Sequence, residues 1–137
     1  MIFGDRLKEL RKQHNMTQAQ LADTLKIARR SVTNYEAGKG YPNKEVLTWL
    51  EEVFNVRVHI LMDEQDEFIA EAQRRDGYRG RLGAEELVKE ASGLFAGGNL
   101  SEADKDAVMR ALQDAYWDAK EKNKKYTPNK YKKQNDL

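Results

Sequence analysis

Arg29, Arg30 and Asn34 are the side chains of this chain best suited to recognising a planar hydrogen-bonding partner. A guanidinium presents a rigid fork of donors that fits two adjacent acceptors, and an asparagine amide offers a donor and an acceptor side by side. On the edges of base pairs these patterns match guanine and adenine, each worth ~1 to 3 kcal/mol of discrimination when met bidentately. An arginine pair is also what many solvated helix faces carry, so the assignment depends on the elements that hold it. The other chemistries fare poorly. His14 and His59 fall in different predicted elements without carboxylates at metal-ligand spacing, so no metal or acid/base site is expected. No serine sits in a nucleophile elbow and no glycine-rich loop has phosphate-binding spacing, so no catalytic residue and no cofactor are expected.

The elements can be built locally. Thr17 is a good N-cap, and Gln20 three residues later completes a capping box, which starts a helix at Gln18. Leu21, Ala22 and Leu25 share one face of it, and the small Ala22 allows a second helix to cross closely. Ile27 inserts into the core from the turn. A second helix, about Arg29 to Ala37, points Val32 and Tyr35 inward and leaves Arg29, Arg30, Thr33 and Asn34 on its outer face. Gly38 follows as a residue able to adopt a left-handed conformation. Two short helices with a tight turn and a polar outer face are the outline of a helix-turn-helix reader of the DNA major groove.

From Arg6 to about Met62 the chain resembles the phage-repressor/Cro-like (XRE) family of DNA-binding domains. The resemblance rests on Arg11, Thr17-Gln18, Leu21-Ala22, Ile27, Tyr35-Glu36-x-Gly38-Lys39 and Pro42, with Leu47, Leu50, Phe54, Val56 and Leu61 closing the core. It implies a compact five-helix bundle and roles by position. Gln18 matches a phosphate contact at the start of the motif's first helix. Arg29, Arg30 and Asn34 match base-reading positions, with Ala28 before them among the contact residues. Thr33 matches a thymine-methyl or phosphate contact, while Ser31 and Lys39 match backbone contacts that carry no sequence information. For Thr33 and Ser31 a purely structural role stands beside this one. Arg11 and Glu36 resemble the family's internal ion pair. Lys26 departs from the pattern, occupying a turn position where the family often has glycine. If that position is left-handed, lysine there costs about 1 kcal/mol.

Composition bounds the rest. With 34% charged residues, a mean hydropathy of −0.88 and no apolar run near the ~18 residues of a membrane span, the chain fits no membrane class. Met-Ile-Phe-Gly-Asp-Arg has no secretory character, and the absence of cysteine removes disulfides and thiolate metal sites, so a cytoplasmic location is expected. Charge is divided. Residues 1–62 carry ten Lys/Arg against seven Asp/Glu, residues 63–121 eight against fifteen, and residues 122–137 six against one. The acidic middle would repel phosphate, so DNA contact belongs to the first block, with the tail as the other basic segment.

An all-α chain with four parts follows: a DNA-binding domain over 1–62, a helical connector and glycine-rich hinge over 63–83, a helical hairpin over 84–124 and a disordered basic tail over 125–137. In the connector, Phe68, Ile69 and Ala72 form the only apolar stripe, and three glycines in Gly77 to Gly83 are expected to break any helix. A helix resumes at Ala84 with Leu87, Val88, Ala91, Leu94 and Phe95 on one face, and Gly97-Gly98 ends it. Ser101 and Asp104 open a long helix with Val108, Leu112, Ala115, Tyr116 and Ala119 as its stripe. Two such helices have too little core to stand alone. A second copy of the chain is the simplest partner, through Leu87, Val88, Leu94, Phe95, Val108, Leu112 and Tyr116; packing back on the first domain, against Trp49 or Phe68, is the alternative. Met109, Tyr116 and Trp117 are read as core. His59 sits in an alternating Val56 to Leu61 stretch that mimics a strand, though the resemblance favours a short closing helix.

The expected function is sequence-specific DNA binding by a dimeric transcriptional regulator, acting as a repressor. An antitoxin-like or immunity protein, whose acidic helices capture a toxin or protease, is the second reading. The tail also resembles those of mobile-element and prophage repressors, which makes a metallopeptidase the corresponding protein partner.

Overall fold

A computed structural model describes residues 2–126, and within them every regular element is a helix. These are α1 (Phe3–Gln13), α2 (Gln18–Leu25), α3 (Arg29–Glu36), α4 (Lys44–Phe54), α5 (Val58–Leu61), α6 (Glu64–Phe95) and α7 (Glu102–Tyr126). The basic tail expected over 125–137 falls, from residue 127 on, outside the described residues. The chain divides into two compact units, the first ending at Val88 and the second beginning at Lys89.

The five N-terminal helices form around one core, in which Phe3, Leu7, Leu21, Ala22, Leu25, Val32, Val46, Leu47, Leu50, Phe54 and Leu61 are buried. Burying each larger side chain of this set stabilises the fold by roughly 1.5 to 3 kcal/mol. Ile27, Tyr35 and Val56, expected inside, are only partly buried and pack against its edge. His59 lies within α5, so the alternating pattern there is helical and not a strand. Helix ends follow local chemistry. Thr17 Oγ1 accepts from the Gln20 amide at 3.1 Å while Gln20 Oε1 accepts from the Thr17 amide at 2.8 Å, which is the expected box in full. Asn43 caps α4 through the Val46 amide at 2.9 Å. Lys26 does adopt the left-handed conformation (φ 56°, ψ 42°), so the turn carries the strain its side chain implies.

Two expectations about the connector need correction. The stretch after Met62 is not a tether, because Phe68, Ile69, Ala70 and Ala72 are buried in the first unit and Ala70 belongs to the main core. Nor does the glycine cluster act as a seven-residue break. Only Gly77 leaves helical geometry (φ 65°, ψ −145°), and α6 resumes at Tyr78. That backbone region is accessible essentially to glycine alone. Gly80 has the opposite role: past the bend the chain returns so closely over α6 that a Cβ there would overlap the Ala72 carbonyl oxygen. Glycine therefore serves one sharp bend and one close crossing, and Gly83 continues the helix.

In the second unit, α6 ends at Phe95 ahead of Gly97-Gly98, and Ser101 Oγ accepts from the Asp104 amide at 3.1 Å to open α7. Ala91 and Met109 are buried there, while Leu94 is 79% and Val108 40% exposed. Tyr116 and Trp117 meet edge to face with centroids 5.2 Å apart.

Candidate nucleic-acid interface

The face of α3 that turns inward is tied down by a relay of polar side chains. Arg11 of α1 is buried and grips Glu36 at the end of α3 with two bonds, Nε to Oε2 at 2.6 Å and Nη2 to Oε1 at 2.9 Å. Its third donor reaches the Met16 carbonyl at 2.8 Å, just ahead of α2. Glu36 Oε1 also accepts from Gln18 Nε2 at 3.2 Å, and Gln18 Oε1 accepts from the Thr33 hydroxyl at 3.0 Å. One arginine thus locks the start of α2 and the second half of α3, at Thr33 and Glu36, into a single arrangement. A bidentate, charge-assisted pair fixes orientation as well as distance.

Burial pushes the Glu36 carboxyl up, but the bonds from Arg11 and Gln18 together with the Arg11 charge hold it below the ordinary glutamate range near 4.5. The unfolded chain therefore takes up this proton first as pH falls. The stabilisation is complete above that range and is lost as pH drops through the lowered value of the folded state. Melting temperature should accordingly fall more steeply below about pH 4.5 in the native chain than in Glu36→Gln, which has no carboxyl to protonate there. Parallel curves for the two proteins would remove Glu36 from the account.

Close packing supplies the remaining constraint. A Cβ at Gly4 would stand 2.6 Å from the Tyr35 carbonyl oxygen, so only glycine lets α1 lie this near the end of α3. The Phe3 ring meets Tyr35 edge to face at 6.3 Å.

With one side of α3 held this way, Arg29 and Arg30 stand exposed in its first turn and Thr33 is exposed one turn later. Ala28, the N-cap, is exposed and provides no capping side chain, so the amides of Arg29 and Arg30 at the positive dipole end of α3 have no side-chain cap from it, while the Ser31 amide donates to the Ala28 carbonyl at 2.9 Å. Ser31 and Asn34 are half-buried, and Lys39 is exposed on the segment joining α3 to α4. The structure therefore draws Gln18, Thr33, Glu36 and Arg11 into one network and leaves Arg29, Arg30 and Lys39 with their charges in solvent. Arginine forks on a fixed helix can reach base edges, and an exposed lysine nearby can meet a phosphate.

Several residues that shape this face escape local reading. Gly4 has no sequence signal, and Asp66 and Gln73 act on it from α6. Asp66, fully buried, accepts from the amides of Ile2 at 2.8 Å and Phe3 at 3.1 Å, capping α1, and from the Tyr41 hydroxyl at 2.5 Å. Burial and this carboxylate hold the Tyr41 phenol well above its usual range. Among the residues expected to meet a second copy, Val88 is buried in the first unit, Leu87, Phe95, Leu112 and Tyr116 are half-buried, and Leu94 and Val108 are open. His14 turns its ring to Phe54 at 4.9 Å and bonds the Leu10 carbonyl at 2.9 Å, a local role. Among the described residues no cluster of His, Asp and Glu could hold a metal, and no helix is long and apolar enough to cross a membrane.

Comparison with known proteins agrees with this geometry. The helix-turn-helix family matches residues 7–61. The chain is 32% identical over 96 residues to an uncharacterized HTH-type transcriptional regulator, YonR, derived from the SPbeta prophage of Bacillus subtilis, covering 65% of this chain and 88% of that one. It is 25% identical over 139 residues to the immunity repressor protein of Bacillus phage phi105, covering 96% of each. It is also 36% identical over 80 residues to the HTH-type transcriptional activator BcrR of Enterococcus faecalis, covering 58% of this chain but only 39% of the activator. No solved structure matches the chain.

Proposed function

Since this chain belongs to the phage-repressor (XRE-type) helix-turn-helix family and is a DNA-binding transcriptional regulator, we propose that it reads an operator through α3 and represses transcription as a homodimer. The observation that carries the reading is the pair Arg29 and Arg30, exposed on the first turn of a helix whose other side is immobilised by Arg11 and Glu36. Arg29, Arg30 and Asn34 meet base edges from the major groove. Gln18, Ala28, Ser31, Thr33 and Lys39 contact or approach the backbone and set the register. Gln18 and Thr33 also hold each other, so their contribution to DNA is the shape of the surface as much as any bond of their own.

Repression, and not activation, is favoured by a relative matched over nearly the whole of both chains, which is named an immunity repressor. Operator binding places the working protein in the cytoplasm beside the chromosome. The second unit leaves Leu94 and Val108 in solvent, and a second copy is the partner that would cover them while setting two recognition helices one DNA turn, ~34 Å, apart. Capture of a toxin or protease is the less favoured role for these helices.

Selection of bound duplexes from a random-sequence pool tests both parts. A palindrome with half-sites about one turn apart is expected, and sedimentation should give a dimer that becomes monomeric in Leu94→Glu/Val108→Glu. A single asymmetric site with a monomeric wild-type chain would exclude the homodimer, and no enrichment at all would exclude sequence-specific reading.

A further inference from the structure

Lys39 sits on the segment 37–43, which runs from the end of α3 to the start of α4. Its α3 side is closed locally. Gly38 is left-handed (φ 73°), its amide donates to the Tyr35 carbonyl at 3.2 Å, and the Lys39 amide donates to the Asn34 carbonyl at 2.9 Å. These are the two bonds of a Schellman ending. The other side is held from far away in the chain. Gln73 on α6, 32 residues on, pairs its side-chain amide with both polar groups of the Tyr41 backbone. The Tyr41 amide donates to Gln73 Oε1 at 3.0 Å, and Gln73 Nε2 donates to the Tyr41 carbonyl at 2.8 Å. Asp66, two helical turns earlier and so on the same face of α6, takes the hydroxyl of the same tyrosine.

The pairing copies what an adjacent strand would do for Tyr41, and it sits directly after Gly40, the residue that would otherwise let the segment swing. Resting on the reading of Lys39 as a phosphate contact, we infer that Gln73 is a positioning residue for DNA binding. By clamping Tyr41, α6 fixes the far side of a segment whose α3 side is already closed by its own bonds, so that Lys39 reaches the backbone at a set distance from the bases that α3 reads. A long, flexible lysine held only at one end would bind with a larger entropy cost.

The test is a double-mutant cycle on the full chain, using a duplex selected by the wild-type protein from a random pool and a scrambled duplex of equal length. Gln73→Ala should weaken binding about 3- to 10-fold, lower the slope of log affinity against log salt by about 1, and leave the preference for the selected over the scrambled duplex unchanged. In a Lys39→Ala background the same substitution should cost nothing further, because its effect passes through Lys39. Exchange of the Tyr41 amide proton should quicken in Gln73→Ala. Circular dichroism confirms that the variants are folded. Equal losses with and without Lys39, or unchanged affinity and slope, overturn the inference. Failure of the wider reading looks different, since it would leave Arg29→Ala/Arg30→Ala with full sequence preference.

Discussion

Replacing Arg29 and Arg30 together by alanine is expected to remove most of the sequence preference while leaving the fold intact. Both side chains are exposed on the first turn of α3 and make no contribution to the core, so their removal should shift the thermal midpoint little. Each bidentate contact with a base is worth about 1 to 3 kcal/mol of discrimination, so the pair accounts for about 2 to 6 kcal/mol. At 1.4 kcal/mol per tenfold, that lowers the ratio of selected to scrambled affinity by about 30-fold to more than 10⁴-fold. Weak binding to any duplex should remain, with its salt dependence reduced in proportion to the charges lost. A charge-preserving variant separates the two effects. In Arg29→Lys/Arg30→Lys the positive charge stays and the planar fork does not, so attraction to DNA should survive and discrimination should still fall. Fluorescence anisotropy with both duplexes at two salt concentrations reads all of this. An unchanged ratio in the alanine variant would mean that α3 does not read bases through these arginines.

The helix-turn-helix segment is legible in the sequence because each of its signals is local. The Thr17 and Gln20 box, the spacing of Leu21, Ala22 and Leu25, and the outward placement of Arg29 and Arg30 each depend on residues within about one turn of one another. Lys26 shows that even strain can be anticipated, since a turn this tight requires a left-handed residue whichever side chain occupies it. The contribution of α6 is not legible in the same way. Asp66 answers amides 63 and 64 positions away, and Gln73 answers a backbone 32 positions away, separations over which no periodic pattern carries information.

The glycine cluster shows a subtler ambiguity. Glycine marks a bend where φ and ψ demand it, as at Gly77, and equally marks a close crossing where a Cβ would collide, as at Gly80. Composition cannot distinguish the two. Counting all three glycines as breakers therefore spread over seven residues a bend that falls at Gly77 alone, and the boundary drawn at Met62 from the family resemblance stops short of the packing, which extends to Val88. The stripe Phe68, Ile69 and Ala72 was readable as apolar, but a short stripe on an acidic helix does not reveal what it packs against.

Asp66→Ala should produce the largest loss of stability from any single change on α6. The carboxylate is fully buried and accepts from four donors: the amides of Ile2, Phe3 and Asp63, at 2.8, 3.1 and 3.2 Å, and the Tyr41 hydroxyl at 2.5 Å. Alanine leaves these donors without an acceptor, and each buried one costs about 1 to 3 kcal/mol unless water enters. It also removes a negative charge from the amino end of α1, a loss of about 0.3 to 2 kcal/mol. Allowing water to reach the half-buried Ile2 and Tyr41, the total should be about 3 to 5 kcal/mol, a large part of what holds a domain of this size folded. Asp66→Asn keeps one oxygen for the α1 amides and can donate to the Tyr41 oxygen, so about 1 to 2 kcal/mol is expected; Tyr41→Phe, which removes a single bond, should cost about 1 kcal/mol. Urea denaturation reads the order directly, as a falling midpoint at constant slope. If Asp66→Ala lies within 1 kcal/mol of wild type, α6 does not anchor the start of α1 and the Tyr41 segment as described. If instead the order alanine, asparagine, phenylalanine holds, the helix beyond Met62 is an integral part of the DNA-binding unit, because one of its carboxylates secures both α1 and the strand of chain that follows α3.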